Sequence, residues 1–131
     1  MPVHNPDIAA ILTEIGELFE IEGENPFKIR AYHNAARTIE GLGREVESMI
    51  AEGEDLTELP GIGKELAAKI GEIVATGSCG ALRKLHERLP PELPKLLTIP
   101  GLGPKKVRAL YHELDIRSIP QLLAAAREQR L

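Results

Sequence analysis

The sequence predicts an all-α protein built from two small helical subdomains. Three observations carry this: apolar residues recur at steps of three and four, no segment sustains two-residue alternation with β-branched side chains, and prolines and glycines stand where helices begin and end.

Each element follows from that pattern. Ile8, Ile11, Leu12, Ile15, Leu18 and Phe19 make one apolar stripe, a first helix that Gly23 stops. Asn25 is placed to cap a second helix, with Pro26 at its first position, where a missing N–H costs nothing. Ile29, Tyr32, Ala36 and Ile39 form the inner face of that helix, which ends at Gly41. Val46, Met49 and Ile50 predict a shorter third helix ending near Gly53. After Gly63, the residues Leu66, Ile70, Ile73 and Val74 mark another buried stripe. Pro90, Pro91 and Pro94 form a hinge, which divides the chain into subdomains 1–90 and 91–131. A last helix starts near Ser118, and the chain stops in helix-favouring sequence without a capping glycine, as a piece of a longer chain would.

Composition bounds the function. With 131 residues and 43% apolar content the chain can close a core of Leu, Ile and Ala. No apolar run reaches the roughly 18 to 20 residues that span a bilayer, and the first residues lack the basic flank and apolar core of a secretory signal. A cytoplasmic protein with no membrane partner is expected. Cys79 has no partner cysteine and no ligand-spaced companion, so it is a bystander. The net charge of −4 hides an asymmetry: residues 1–55 carry −8 and residues 56–131 carry +4. Solvated helix faces account for such charge, but the basic half leaves room for an anionic partner.

That basic half says one thing twice. "LPGIGKELAAKI" (Leu59 to Ile70) returns as "IPGLGPKKVRAL" (Ile99 to Leu110), with glycines at Gly61, Gly63, Gly101 and Gly103. Proline presets one φ, two glycines are free to take φ > 0, and the apolar residue between them anchors the turn. A tight hairpin between helices results, and the following helix points its first N–H groups outward with its positive dipole end behind them. Main-chain donors of this kind hold phosphate without reading bases. An ordinary helix-to-helix turn is the plain reading of one copy; two copies with matching glycines favour two phosphate clamps. Lys64, Arg83, Lys84, Lys105, Lys106 and Arg108 surround them with positive charge.

The pattern looks like the helix-hairpin-helix motif. Together with "NPFKIRAYHNAARTI", "ELPGIGKELAAKIGEIVATG", "LRKLHERLP" and "LTIPGLGPKKVRALYHEL", it resembles the N-terminal part of bacterial family X DNA polymerases of the DNA polymerase beta type, from about Ile8 to the C-terminus. The resemblance implies a helical, sequence-independent grip on gapped or nicked duplex DNA in base excision repair, on a piece linked to a larger polymerase chain. It implies a monovalent cation (K+ or Na+) held by main-chain carbonyls of Thr57, Leu59 and Ile62 in the first hairpin and Leu97, Ile99 and Leu102 in the second. The first hairpin would hold the downstream strand and the second the primer side.

The resemblance also implies chemistry. Lys69 stands where the family has a lysine that attacks C1′ of a 5′-deoxyribose phosphate and releases the sugar by β-elimination through a Schiff base. Lys28, Tyr32 and Lys84 match family positions that line the pocket. On a helical wheel Lys69 lies roughly 85° from the centre of the buried stripe, at the edge of core and solvent. Glu65 departs from the family, which places a basic residue there to hold the 5′-phosphate; a Glu four residues before a Lys favours the charged amine, the wrong direction for a nucleophile. Lys64 is a substitute phosphate contact. Three readings stay open: a DNA-binding module, a 5′-deoxyribose-phosphate lyase, and a protein-interaction module that uses the acidic first helix with Glu14, Glu17, Glu20, Glu22 and Glu24.

Other chemistry lacks its residues. Asp7, Asp55 and Asp115 are isolated, so the carboxylate cluster of nucleotidyl transfer is missing. His4, His33, His86 and His112 show no zinc spacing, and neither an NTPase phosphate loop nor a serine nucleophile elbow is present. Aromatics are 3% of the chain, which limits base stacking to a residue such as Phe27 or Tyr32 over one nucleotide or sugar.

Overall fold

The computed structural model describes residues 3–128. In chain order its helices are α1 (Asn5–Glu22), α2 (Pro26–Glu40), α3 (Val46–Ala51), α4 (Lys64–Thr76), α5 (Gly80–Arg88), α6 (Pro104–Leu114) and α7 (Ile119–Arg127). Short 3-10 turns at Leu56–Glu58 and Leu93–Thr98 lead into the two hairpins. No strand occurs among the described residues, so the all-α expectation holds.

α1 is the hub: α2 packs along it, and α4, α5 and α6 touch it as well. This explains why its buried set exceeds the predicted stripe and takes in Ala9, Gly16 and Ile21. Small residues let the neighbours close in. The His33 ring of α2 lies over Gly16 so tightly that a Cβ there would come within 2.9 Å of it. Ile8, Leu12, Ile15, Leu18 and Ile21 are fully buried. Truncating one of them to alanine would cost about 2–5 kcal/mol.

Polar contacts fix the ends of α1. The buried Asn5 donates from Nδ2 to the Arg44 carbonyl at 2.7 Å and accepts from the Val46 N–H at 2.9 Å, which ties the start of α1 to the start of α3. At the other end Gly23 takes φ 84°, and the Glu24 N–H donates back to the Phe19 carbonyl at 2.9 Å. This left-handed stop uses two of the final carbonyls. The Ile21 carbonyl is met instead by His112 of α6, whose Nε2 donates at 2.9 Å.

Further pairs bind the acidic helix to its neighbours. Arg88 of α5 makes a two-pronged contact with Glu22, both bonds at 2.9 Å, and His86 meets Glu14 at 2.8 Å. The Arg108 guanidinium of α6 rests against Gly23. Beneath these contacts, Leu93, Leu96 and Val107 belong to the same apolar cluster as the buried face of α1. The two hairpins are thereby held on one body. Asn25 caps α2 by accepting the Phe27 N–H at 2.8 Å, and Ser118 caps α7 by accepting the Gln121 N–H at 3.3 Å. No described helix is long and apolar enough to cross a membrane.

Candidate nucleic-acid interface

The two repeated turns have the same backbone. In the first, the Ile62 N–H closes on the Leu59 carbonyl at 3.1 Å; in the second, the Leu102 N–H closes on Ile99 at 3.0 Å. Gly61 and Gly101 take φ of 75° and 87°, the left-handed region that glycine enters without strain. Proline second and positive-φ glycine third is the type II turn pattern.

The second glycine of each pair behaves otherwise than the sequence suggested. Gly63 and Gly103 have φ of −89° and −85° with extended ψ, because each is the N-cap of the next helix and not part of the turn. No backbone constraint demands glycine there, and a Cβ at either position would meet nothing within 4 Å. The N-termini themselves are bare. No side chain caps α4 or α6, whereas α2 and α7 carry an Asn and a Ser cap. The N–H groups of Lys64, Glu65, Lys105 and Lys106 reach no acceptor among the described residues, and all four residues are exposed. Ile62 is buried and anchors the first turn, while Leu102 is half-buried in the second.

Carbonyls near the turns are also free. Pro60 has no N–H to offer Thr57, Pro100 has none for Leu97, and the Ile62 and Leu102 carbonyls accept no backbone N–H among the described residues. Those of Leu59 and Ile99 accept one each. Unspent carbonyl oxygens of this kind fit a monovalent cation.

A separate cleft of about 410 Å³ opens between α2, α4 and α5. It brings together Lys28, Tyr32, Lys69 and Lys84, as the sequence grouped them, and adds Phe19, Glu24, Glu65, Glu72, Gly80 and Arg88. The Lys69 side chain is 25% exposed, at the predicted border, and its Nζ lies 3.9 Å from Glu65. Lys28 sits 4.9 Å over the Phe19 ring, which in turn packs edge-on against Tyr32 at 5.4 Å. Tyr32 is 2% exposed and its hydroxyl finds no partner, an orphaned polar atom on the wall of a cleft. Burial first, then the charge of Glu65 and then Cys79, push that hydroxyl well above the usual tyrosine range.

Other predicted residues lie elsewhere. Lys64 is outside the cleft, at the first hairpin. Lys105 and Arg108 line a second hollow of about 450 Å³ beside Glu22 and His112, on the side of α6 that faces α1. Arg83 is drawn to Glu72 at 3.6 Å. Of the residues that sequence reading missed, Glu72 was readable, three positions after Lys69 on the same face. Arg88 was readable in the same way, four positions after Lys84 on α5, whereas Phe19 reaches the cleft from α1 and left no local signal.

Comparison with known proteins agrees with this layout. The helix-hairpin-helix domain matches residues 3–79, and a SAM-like helix-hairpin-helix tandem matches residues 93–131. The chain is 35% identical over 129 residues to the DNA polymerase/3'-5' exonuclease PolX of Bacillus subtilis (strain 168), a match that covers 98% of this chain and 22% of that protein. The chain thus spans about a fifth of the length of this curated relative. These matches bear out the resemblance to family X DNA polymerases.

Proposed function

The chain belongs to the helix-hairpin-helix domain family, and from that premise we propose that it grips DNA by its sugar-phosphate backbone, independent of sequence, as the front part of a cytoplasmic DNA repair polymerase of family X. The observation that carries the reading is the pair of turns closed by the same hydrogen bond and the same positive-φ glycine, each followed by a helix without a side-chain cap. Each offers main-chain N–H groups and a positive dipole end to a phosphate oxygen. Lys64 at the first hairpin and Lys105 and Lys106 at the second add charge, with Lys28, Lys84 and Arg108 further out. A K+ or Na+ ion bound by the carbonyls of Thr57, Leu59 and Ile62, or Leu97, Ile99 and Leu102, would supply a positive charge facing the strand. Because α1 joins the hairpins, they would hold two places on one gapped or nicked duplex and fix its path. Phe27, 75% exposed at the start of α2, would cover an unpaired nucleotide at the gap.

Affinity for gapped duplexes of two unrelated sequences, measured from 50 to 200 mM salt, tests this. The reading expects equal affinities that fall steeply with salt. A flat salt response contradicts it and favours a surface for a protein partner.

The cleft supports a second activity. Lys69, its side chain 25% exposed, lines the same cleft as the orphaned Tyr32 hydroxyl, as an amine nucleophile in a 5′-deoxyribose-phosphate lyase would. Borohydride trapping on a gapped DNA with a 5′-deoxyribose phosphate, beside Lys69→Ala, tests it: the lyase reading requires an adduct that the variant loses.

A further inference from the structure

Three carboxylates, Glu24, Glu65 and Glu72, share the cleft with the four cations Lys28, Lys69, Lys84 and Arg88. Most of that charge is already matched. Lys28 lies 3.9 Å from Glu24, Lys69 lies 3.9 Å from Glu65, and Arg88 is held by Glu22 at 2.9 Å. Glu72 is spent on the Gly80 N–H at 3.0 Å and on Arg83. Lys84 has no carboxylate partner among the described residues.

Glu65 stands apart within this set. Its side chain is 71% exposed and makes no hydrogen bond among the described residues; its one ion pair there is with the lysine that the cleft half-buries, and its charge also reaches the Tyr32 hydroxyl. In the first turn of α4 such a carboxylate favours the helix dipole, and the same position sets its charge beside the cleft lysine. Imine formation requires the neutral amine: the ammonium first gives a proton to solvent, the nitrogen lone pair bonds to an aldehyde carbon, and the carbonyl oxygen leaves as water. A carboxylate beside the amine favours the ammonium, and at the cleft mouth it also repels a phosphate.

We propose that Glu65 is a charge gate on this cleft, holding Lys69 as an ion-paired ammonium and turning away phosphate-bearing aldehydes, so that loss of its charge raises imine formation at Lys69. This rests on Lys69 as an amine nucleophile and not on DNA binding by the hairpins.

The test reduces imines with borohydride, which delivers hydride to the imine carbon and leaves a stable secondary amine. The full chain, Glu65→Gln and Glu65→Lys, each with and without Lys69→Ala, meet two probes: pyridoxal phosphate, an aldehyde with a phosphate and no DNA, and gapped DNA with a 5′-deoxyribose phosphate at saturating concentration. Adducts are mapped by peptide mass. Because an exposed pair of this spacing is weak, the rate at Lys69 should rise about threefold in Glu65→Gln and on the order of tenfold in Glu65→Lys, where attraction becomes repulsion. The rise should vanish with Lys69→Ala. Unchanged or lower rates in both Glu65 variants, no adduct at Lys69 in any variant, or a rise confined to other lysines, each overturns the gate. A rise with pyridoxal phosphate in a protein that fails to bind gapped DNA would uphold the gate and sink the hairpin reading.

Discussion

The two hairpins share a turn and an uncapped helix start, and differ in the side chains around them. Leu59 to Gly63 and Ile99 to Gly103 close with the same hydrogen bond and the same positive-φ glycine. Their first helical turns diverge: α4 opens with Lys64 and Glu65, a donor-rich but charge-balanced start, whereas α6 opens with Pro104, Lys105 and Lys106, one N–H fewer and one cation more, with no acid to offset it. The residues before the turn diverge as well, Asp55 in one and Lys95 in the other. What is common is backbone, and what varies is charge. On the proposed DNA-binding reading, phosphate geometry would belong to the turn, and the strength and salt dependence of the grip to the side chains around it.

The largest effect should come from attacking the shared part. Gly61→Val and Gly101→Val force a β-branched residue to positive φ in otherwise open surroundings, so each should cost about 2–3 kcal/mol from backbone strain alone. Urea denaturation checks whether the two costs agree. A large difference would break the equivalence of the turns.

Much of this was legible in the sequence, for physical reasons. Helix starts at Pro26 and Ser118 and the stop at Gly23 are local events, set by caps that sequence displays. The border position of Lys69 followed from helical spacing alone. The hub role of α1 did not, because Ala9 and Gly16 signal close packing only once His33 and α2 are in place. Nor did the cap role of Gly63 and Gly103, since a glycine is permissive and does not announce which φ it takes. The cleft was half visible: the lysines and Tyr32 carried a pattern that Arg88 continues on α5, while Phe19 and Glu24 arrive by tertiary packing.

A smaller effect should separate the hairpins. Lys105→Ala and Lys106→Ala should each flatten the plot of log affinity against log salt by about 0.9 if each contacts one phosphate. At the first hairpin, Lys64→Ala should change the slope less if Glu65 already offsets its charge. Equal changes at both sites would mean that the charge difference has no bearing on the grip.

The smallest effect concerns acid. Asp55 accepts the Thr57 hydroxyl at 2.7 Å and the Thr57 N–H at 2.9 Å. Those bonds, then the charge of Lys64, hold its carboxyl below its ordinary value of 3.8. A lowered folded-state value means that this stabilisation is complete above the ordinary value and is lost as pH falls through the lower one. Lys95, which pairs with Glu92 at 3.0 Å, occupies the corresponding place in the second hairpin. Amide exchange at Ile62 should therefore gain on that at Leu102 as pH drops from 5 to 2, and Asp55→Asn should abolish the drift.

The central claim is that bare helix N-termini hold the DNA, and Gly63→Ser and Gly103→Ser test it most directly. Both positions are sterically open and have the extended backbone of a serine cap, so folding stability should hold or rise by a few tenths of a kcal/mol. The serine oxygen would then occupy one of the N–H groups that the proposed phosphate contact uses. Measured affinity for gapped duplex should fall roughly tenfold for each change, with an unaltered salt slope because no charge is removed. Full affinity in both variants, with the fold intact, would contradict the account.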